Sequence, residues 1–177
     1  MCAKLQIVYD QPEKWSEKNH GIIEYAALLI GGNLSKYTGL DAVESFNAVM
    51  GEIHVRFTST LDTWASSLWG VIRYRDPEKV GLAITVHEMM HRFNVCARLK
   101  PQRQLVQDKI NCAHASLWPG FHTRTMAEGD QPDEWLANLL TDYFMGLLDH
   151  NEAGLAARKW IESKLGEWVD IAMGRGD

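Results

Sequence analysis

Apolar residues recur along this chain with two periods, one helical and one extended. Ile22, Ile23, Ala26, Leu29 and Ile30 fall at helical spacing, so an amphipathic helix is expected over 16–30, with Gly31-Gly32 as its stop. Before it, Lys4 to Tyr9 alternates loosely and reads as a first strand, broken by Gln11-Pro12. Asp41 with Glu44 three residues on resembles a capping box and predicts a short helix to about Val49. Two strands are expected next. Glu52 to Thr58 alternates Ile53, Val55 and Phe57 with Glu52, His54 and Arg56, and Leu68 to Arg75 is rich in aromatic and β-branched residues. The polar stretch Ser59 to Ser67 between them reads as a hairpin loop.

The strongest helix start is Asp76-Pro77-Glu78: an acceptor at the N-cap, proline at the first position and an acid in the first turn. The helix is expected from Pro77 to about Leu99, where Pro101 stops it, and Val80 to Val86 is apolar nearly all round, which places it at the centre of the domain. A polar helix over Gln102 to Ala115, a loop over Leu117 to Asp130, and helices over Asp133 to Leu148 and Glu152 to Met173 complete the reading. The fold class that results is α+β in a single domain over 1–177. A short, mostly antiparallel sheet packs on the central helix (strands and helix about 50–100), and the C-terminal part (about 132–174) is helical.

Composition narrows the functions open to such a domain. At 46% hydrophobic, with seven Trp, the chain can bury a sizeable core. A net charge of -5 argues against nucleic acid as a partner. Three cysteines are an odd count without disulfide-scaffold density and point to a reducing compartment. No leader pattern opens the chain, and the longest apolar run, Tyr25 to Ile30, is too short to cross a bilayer, so a cytoplasmic location without membrane partners is expected.

The chemistry is concentrated in His87-Glu88-Met89-Met90-His91. Residues four apart share a helix face, so both imidazoles can address one ion, with Glu88 rotated by one position towards a bound water. That arrangement suits Zn²⁺ held by two neutral imidazoles and a third protein ligand, with Glu88 accepting a proton from the water that attacks a carbonyl. With seven histidines in the chain, a chance His-Glu-x-x-His is about a two-in-a-hundred event. Glu134 is the leading third ligand, because Asn138 lies on the same face and can accept the N–H of a ligating imidazole. His114, His122 and Asp142 remain alternatives. The extension that would supply a third histidine downstream is absent, since Asn94 and Ala97 occupy its positions. A donor for a developing oxyanion is sought among His122, Arg124 and Tyr143. Were the strand Leu68 to Arg75 at a sheet edge, an extended substrate could pair with it. Cys112 and His114 lack a partner pair at zinc-finger spacing, so no structural zinc is expected there.

These motifs resemble the zincin metallopeptidases, in particular the gluzincin branch, which pairs His-Glu-x-x-His with a Glu on a downstream helix, often as Glu-x-x-Ala-Asn. Here that second motif is Glu134-Trp135-Leu136-Ala137-Asn138. Among small members the chain looks most like the ImmA/IrrE-type peptidases, over roughly residues 50 to 148. The resemblance implies a zincin-like domain with zinc on His87, His91 and Glu134, Glu88 as general base, and a protein or peptide substrate. It departs from that family at Met90, where glycine is usual, and in the long interval from His91 to Glu134. A zincin-fold protein that binds a protein partner without hydrolysis is the competing function.

Overall fold

A computed structural model describes residues 2–99, 132–150 and 152–175. Ser16 opens the first helix by accepting a hydrogen bond from the Asn19 backbone N–H at 3.1 Å, and α1 runs Glu17–Thr38. It therefore continues through Gly31-Gly32 rather than ending there. The cause is packing: a Cβ built on Gly31 would lie 1.9 Å from the Ala42 carbonyl oxygen, so glycine at 31 lets the next helix approach. That helix, α2 (Ala42–Met50), starts as expected, with the Asp41 side chain accepting from Glu44 N at 2.9 Å.

Four short strands form one sheet. They are β1 (Ile7–Tyr9), β2 (Ile53–Phe57), β3 (Ala65–Leu68) and β4 (Val71–Tyr74), in the order β1-β2-β4-β3. β1 pairs with β2 and β2 with β4 in parallel, and only β3 with β4 is antiparallel. The expectation of a mostly antiparallel sheet is thus corrected to a mixed one within the α+β class. The difference lies in 59–67, read as a plain loop. It holds most of β3, which takes the antiparallel place beside β4 and leaves β2 and β4 running the same way. β3 carries Ser66 and Ser67 in place of branched residues, so no alternation betrays it. The true hairpin turns at Trp69-Gly70, whose φ values of 50° and 77° are those of the two-residue turn that suits twisted strands.

Ile53, Val55, Ile72 and Tyr74 point to one side of the sheet and are fully buried in the main core. The other side carries His54, Arg56 and Arg73. Asp76 caps as expected, but only a short 3-10 turn, Pro77–Lys79. Val80 is then extended and buried, and the central helix α3 runs Leu82–Cys96 from Gly81. Val86, Met89, Met90 and Phe93 hold it against the core. A helix α4 (Pro132–Phe144) packs along α3, and α5 (Glu152–Ala172) closes on α1 after the turn Leu148–His150. No helix among the described residues is long and apolar enough to cross a membrane. The helix and loop expected over 102–130 lie outside the described residues.

Candidate metal centre

α3 presents His87 and His91 one turn apart, and α4 brings Glu134 to them from 47 positions downstream of His87. The three side chains meet tip to tip. His87 Nε2 lies 3.1 Å from Glu134 Oε2, His91 Nε2 lies 2.9 Å from Glu134 Oε1, and the two Nε2 atoms are 3.2 Å apart. The rings stand nearly perpendicular, at 87°, edge to face rather than stacked. Bonds of 2.0–2.1 Å in a tetrahedral zinc site set ligand atoms about 3.3 Å apart; the two Nε2 atoms stand 3.2 Å apart, and each meets a different oxygen of Glu134. Two imidazoles and one carboxylate are a donor set that suits zinc among other divalent ions. The residues present fit the group.

The electrostatics point the same way. Burial alone would raise the Glu134 carboxyl, but hydrogen bonds from His87 and His91, with their charge, outweigh it and hold the carboxyl far below the usual range. Glu134 is therefore held as a carboxylate beside the two histidines. Glu88, 6% exposed, is shifted oppositely. Burial raises it, the two histidines lower it and Glu134 raises it further, with a net upward shift. Its carboxyl takes no part in the hydrogen bonds that tie His87, His91 and Glu134 together. Beneath it, the Tyr74 and Thr85 hydroxyls pair at 2.7 Å, both buried.

Of the residues expected from sequence, the structure brings together His87, His91, Glu134 and, within electrostatic reach, Glu88. It does not bring Tyr143 to them. Nine positions on, Tyr143 lies half a turn around α4 from Glu134, and its hydroxyl donates to Glu162 of α5 at 3.4 Å. Asn138 is buried one turn beyond Glu134, and His87 Nδ1 has no hydrogen-bond partner among the described residues. Asp142 is buried outside the cluster. His114, His122, Arg124 and Cys112 lie outside the described residues. β4 is paired on both sides, so the place expected for an added substrate strand falls to β3, which is paired on one side among the described strands.

Sequence reasoning passed over the residues next to the cluster. A groove of about 490 Å³ runs from His91 between the β3–β4 hairpin and the end of α3, lined by Trp69, Arg92, Asn94 and Arg98 among others. Asn94 follows His91 at three positions on the same face of α3, a signal available in the sequence, whereas Arg98 lies just past the helix end and comes to the groove through the turn there.

Compared with known proteins, the chain matches no family model, no curated protein and no solved structure.

Proposed function

We propose that this protein is a zinc-dependent metallopeptidase with a zincin-like domain, acting on a protein or peptide substrate. The observation that carries the reading is the convergence of His87, His91 and Glu134 from two helices, with Glu88 buried beside them and outside the hydrogen bonds that tie the three together. A zinc ion bound there would supply a Lewis acid that polarises the scissile carbonyl and acidifies water. The chain supplies the rest. Glu88, its proton affinity raised by burial, accepts the proton of the attacking water and can pass it to the leaving amine. The apolar surround of α3 and α4, including Met90, Phe93, Ala137 and Leu140, limits bulk water and strengthens these electrostatic contacts. Among the described strands β3 is paired on one side only and lies beside α3, so its outer edge is where an extended peptide would be held by backbone hydrogen bonds.

Metal analysis and proteolysis test this together. Wild type purified without an affinity metal is expected to hold one equivalent of zinc. H87A should lose it, and E88Q should keep it while cleavage of a casein or peptide-library substrate falls by about 10²- to 10⁴-fold. A wild type without zinc removes the metal site. Equal cleavage by E88Q removes the general base, and zinc binding with no cleavage in any assay favours the non-hydrolytic binding protein.

A further inference from the structure

The groove beside His91 has a charge character at odds with the molecule. The chain carries a net charge of -5, yet the described residues lining the groove are Ser67, Leu68, Trp69, Gly70, His91, Arg92, Asn94, Val95, Arg98 and Leu99, without one carboxylate. Arg92 is fixed in place. Its Nε donates to the Met50 carbonyl at 2.9 Å, and its guanidinium lies against Gly51 and Gly70, where added Cβ atoms would stand 3.4–3.6 Å away. Among the described residues lining the groove there is no carboxylate for its remaining N–H donors. Asn94, 7% exposed, has neither its amide nitrogen nor its oxygen hydrogen-bonded. Buried amides of this kind are nearly always paired.

The backbone adds an independent sign. Among the described residues three non-glycine positions adopt positive φ, and two of them line this groove: Trp69 (50°), in the hairpin turn, and Arg98 (52°). Arg98 sits just past the end of α3, where Leu99 N donates to Asn94 O at 2.9 Å and Arg98 N to Val95 O at 3.1 Å. That hydrogen-bond pattern calls for glycine at the left-handed position. The chain instead keeps an arginine there, at a conformational cost, and this residue lines the groove. Outliers of this kind gather where a side chain serves a ligand.

We propose that the groove is a subsite for a carboxylate of the peptide substrate, held by Arg92 and Arg98 with Asn94 as a further polar contact, and with Trp69 as its outer wall. The inference rests on the peptidase reading, because it is His91 that joins the groove to the metal centre. The carboxylate belongs either to an Asp or Glu side chain next to the scissile bond or to the end of the substrate chain.

Binding separates this from catalysis. The 177-residue chain as E88Q, with one equivalent of zinc and ¹⁵N label, is titrated with three probes. These are acetyl-Gly-Glu-amide, acetyl-Gly-Gly with a free carboxylate, and the neutral acetyl-Gly-Gln-amide. The Asn94 side-chain amide and the Gly70 N–H are expected to shift and saturate with at least one acid, and about tenfold more weakly with the neutral peptide. A response to the Glu peptide assigns the side chain as the source, and a response to the free acid assigns the chain end. R98G should weaken the acid by about tenfold while the thermal midpoint holds or rises, because glycine relieves the left-handed position. Equal binding of the neutral peptide, or acid binding untouched by R98G (the result of a carboxylate sitting on the metal), overturns the subsite. An absence of turnover in wild type with the binding intact would overturn the peptidase reading and leave the anion site standing.

Discussion

His54 shows how much a single residue on the open face of the sheet can carry. Its Nε2 meets Glu52 at 2.9 Å and its Nδ1 meets Asp10 at 3.3 Å, while Asp10 also pairs with Arg56 at 2.7 Å. The hydrogen bond to Glu52, then that to Asp10, raises the histidine above its ordinary value of 6.5. A raised value in the folded state means that the stabilisation is fully present below the unfolded histidine's pKa and fades as pH climbs through the folded one. The group is largely in water, so the effect is small. Proton NMR titration should place His54 above 6.5, and D10N should move its midpoint down. A His54 midpoint at or below that of a free histidine would remove the network. Nothing in the sequence joins Asp10 to His54, which are 44 positions apart. The parallel register that sets Tyr9 beside Val55 creates the contact.

At the scale of elements, the legible features were those whose signal is local. Asp41, Ser16 and Asp76 cap where their side chains can reach a nearby N–H, and the alternation of Ile53 and Val55 marks β2. What the sequence hid depends on partners. β3 exists because β4 lies beside it, and α1 continues past residue 31 because α2 needs a smooth place to rest. A glycine that stops a helix and a glycine that admits a neighbour look alike in one dimension. The Gly31-Gly32 pair can be split by experiment. G31A forces a Cβ to 1.9 Å from the Ala42 oxygen and 2.8 Å from its carbon, backbone atoms that cannot swing aside. Such overpacking costs about 1–3 kcal/mol or more. G32A meets nothing within 4 Å on the exposed side of the same helix and should gain about 0.5–1 kcal/mol. Urea unfolding reads both. Equal effects from the two substitutions would mean that α1 and α2 do not approach as described.

For the whole molecule, the candidate site was legible in part for a related reason. His87, Glu88 and His91 are a local pattern, and Glu134 was recognisable by its motif, but only the packing of α4 on α3 brings that carboxylate to the histidines. The metal would therefore link two helices far apart in sequence, and its binding energy becomes stability of the pair. Zinc at a thousand times its dissociation constant adds about 4 kcal/mol. In a domain of this size each kcal/mol moves the thermal midpoint by about 2–4 °C. Stripping the metal with a chelator should then lower the midpoint by about 8–16 °C at that loading. The amides of α4 should lose hydrogen-exchange protection in the same step. E88Q, which leaves all three ligands in place, should respond like wild type. H91A and E134Q should sit at a lower midpoint from the start and ignore the chelator. The ligand variants must separate from E88Q for a further reason: any histidine-rich surface can bind loose zinc, but only ions shared by α3 and α4 tie the two together. A chelator response that survives in both H91A and E134Q would place the zinc elsewhere and leave the three converging side chains as an ordinary ion pair between helices.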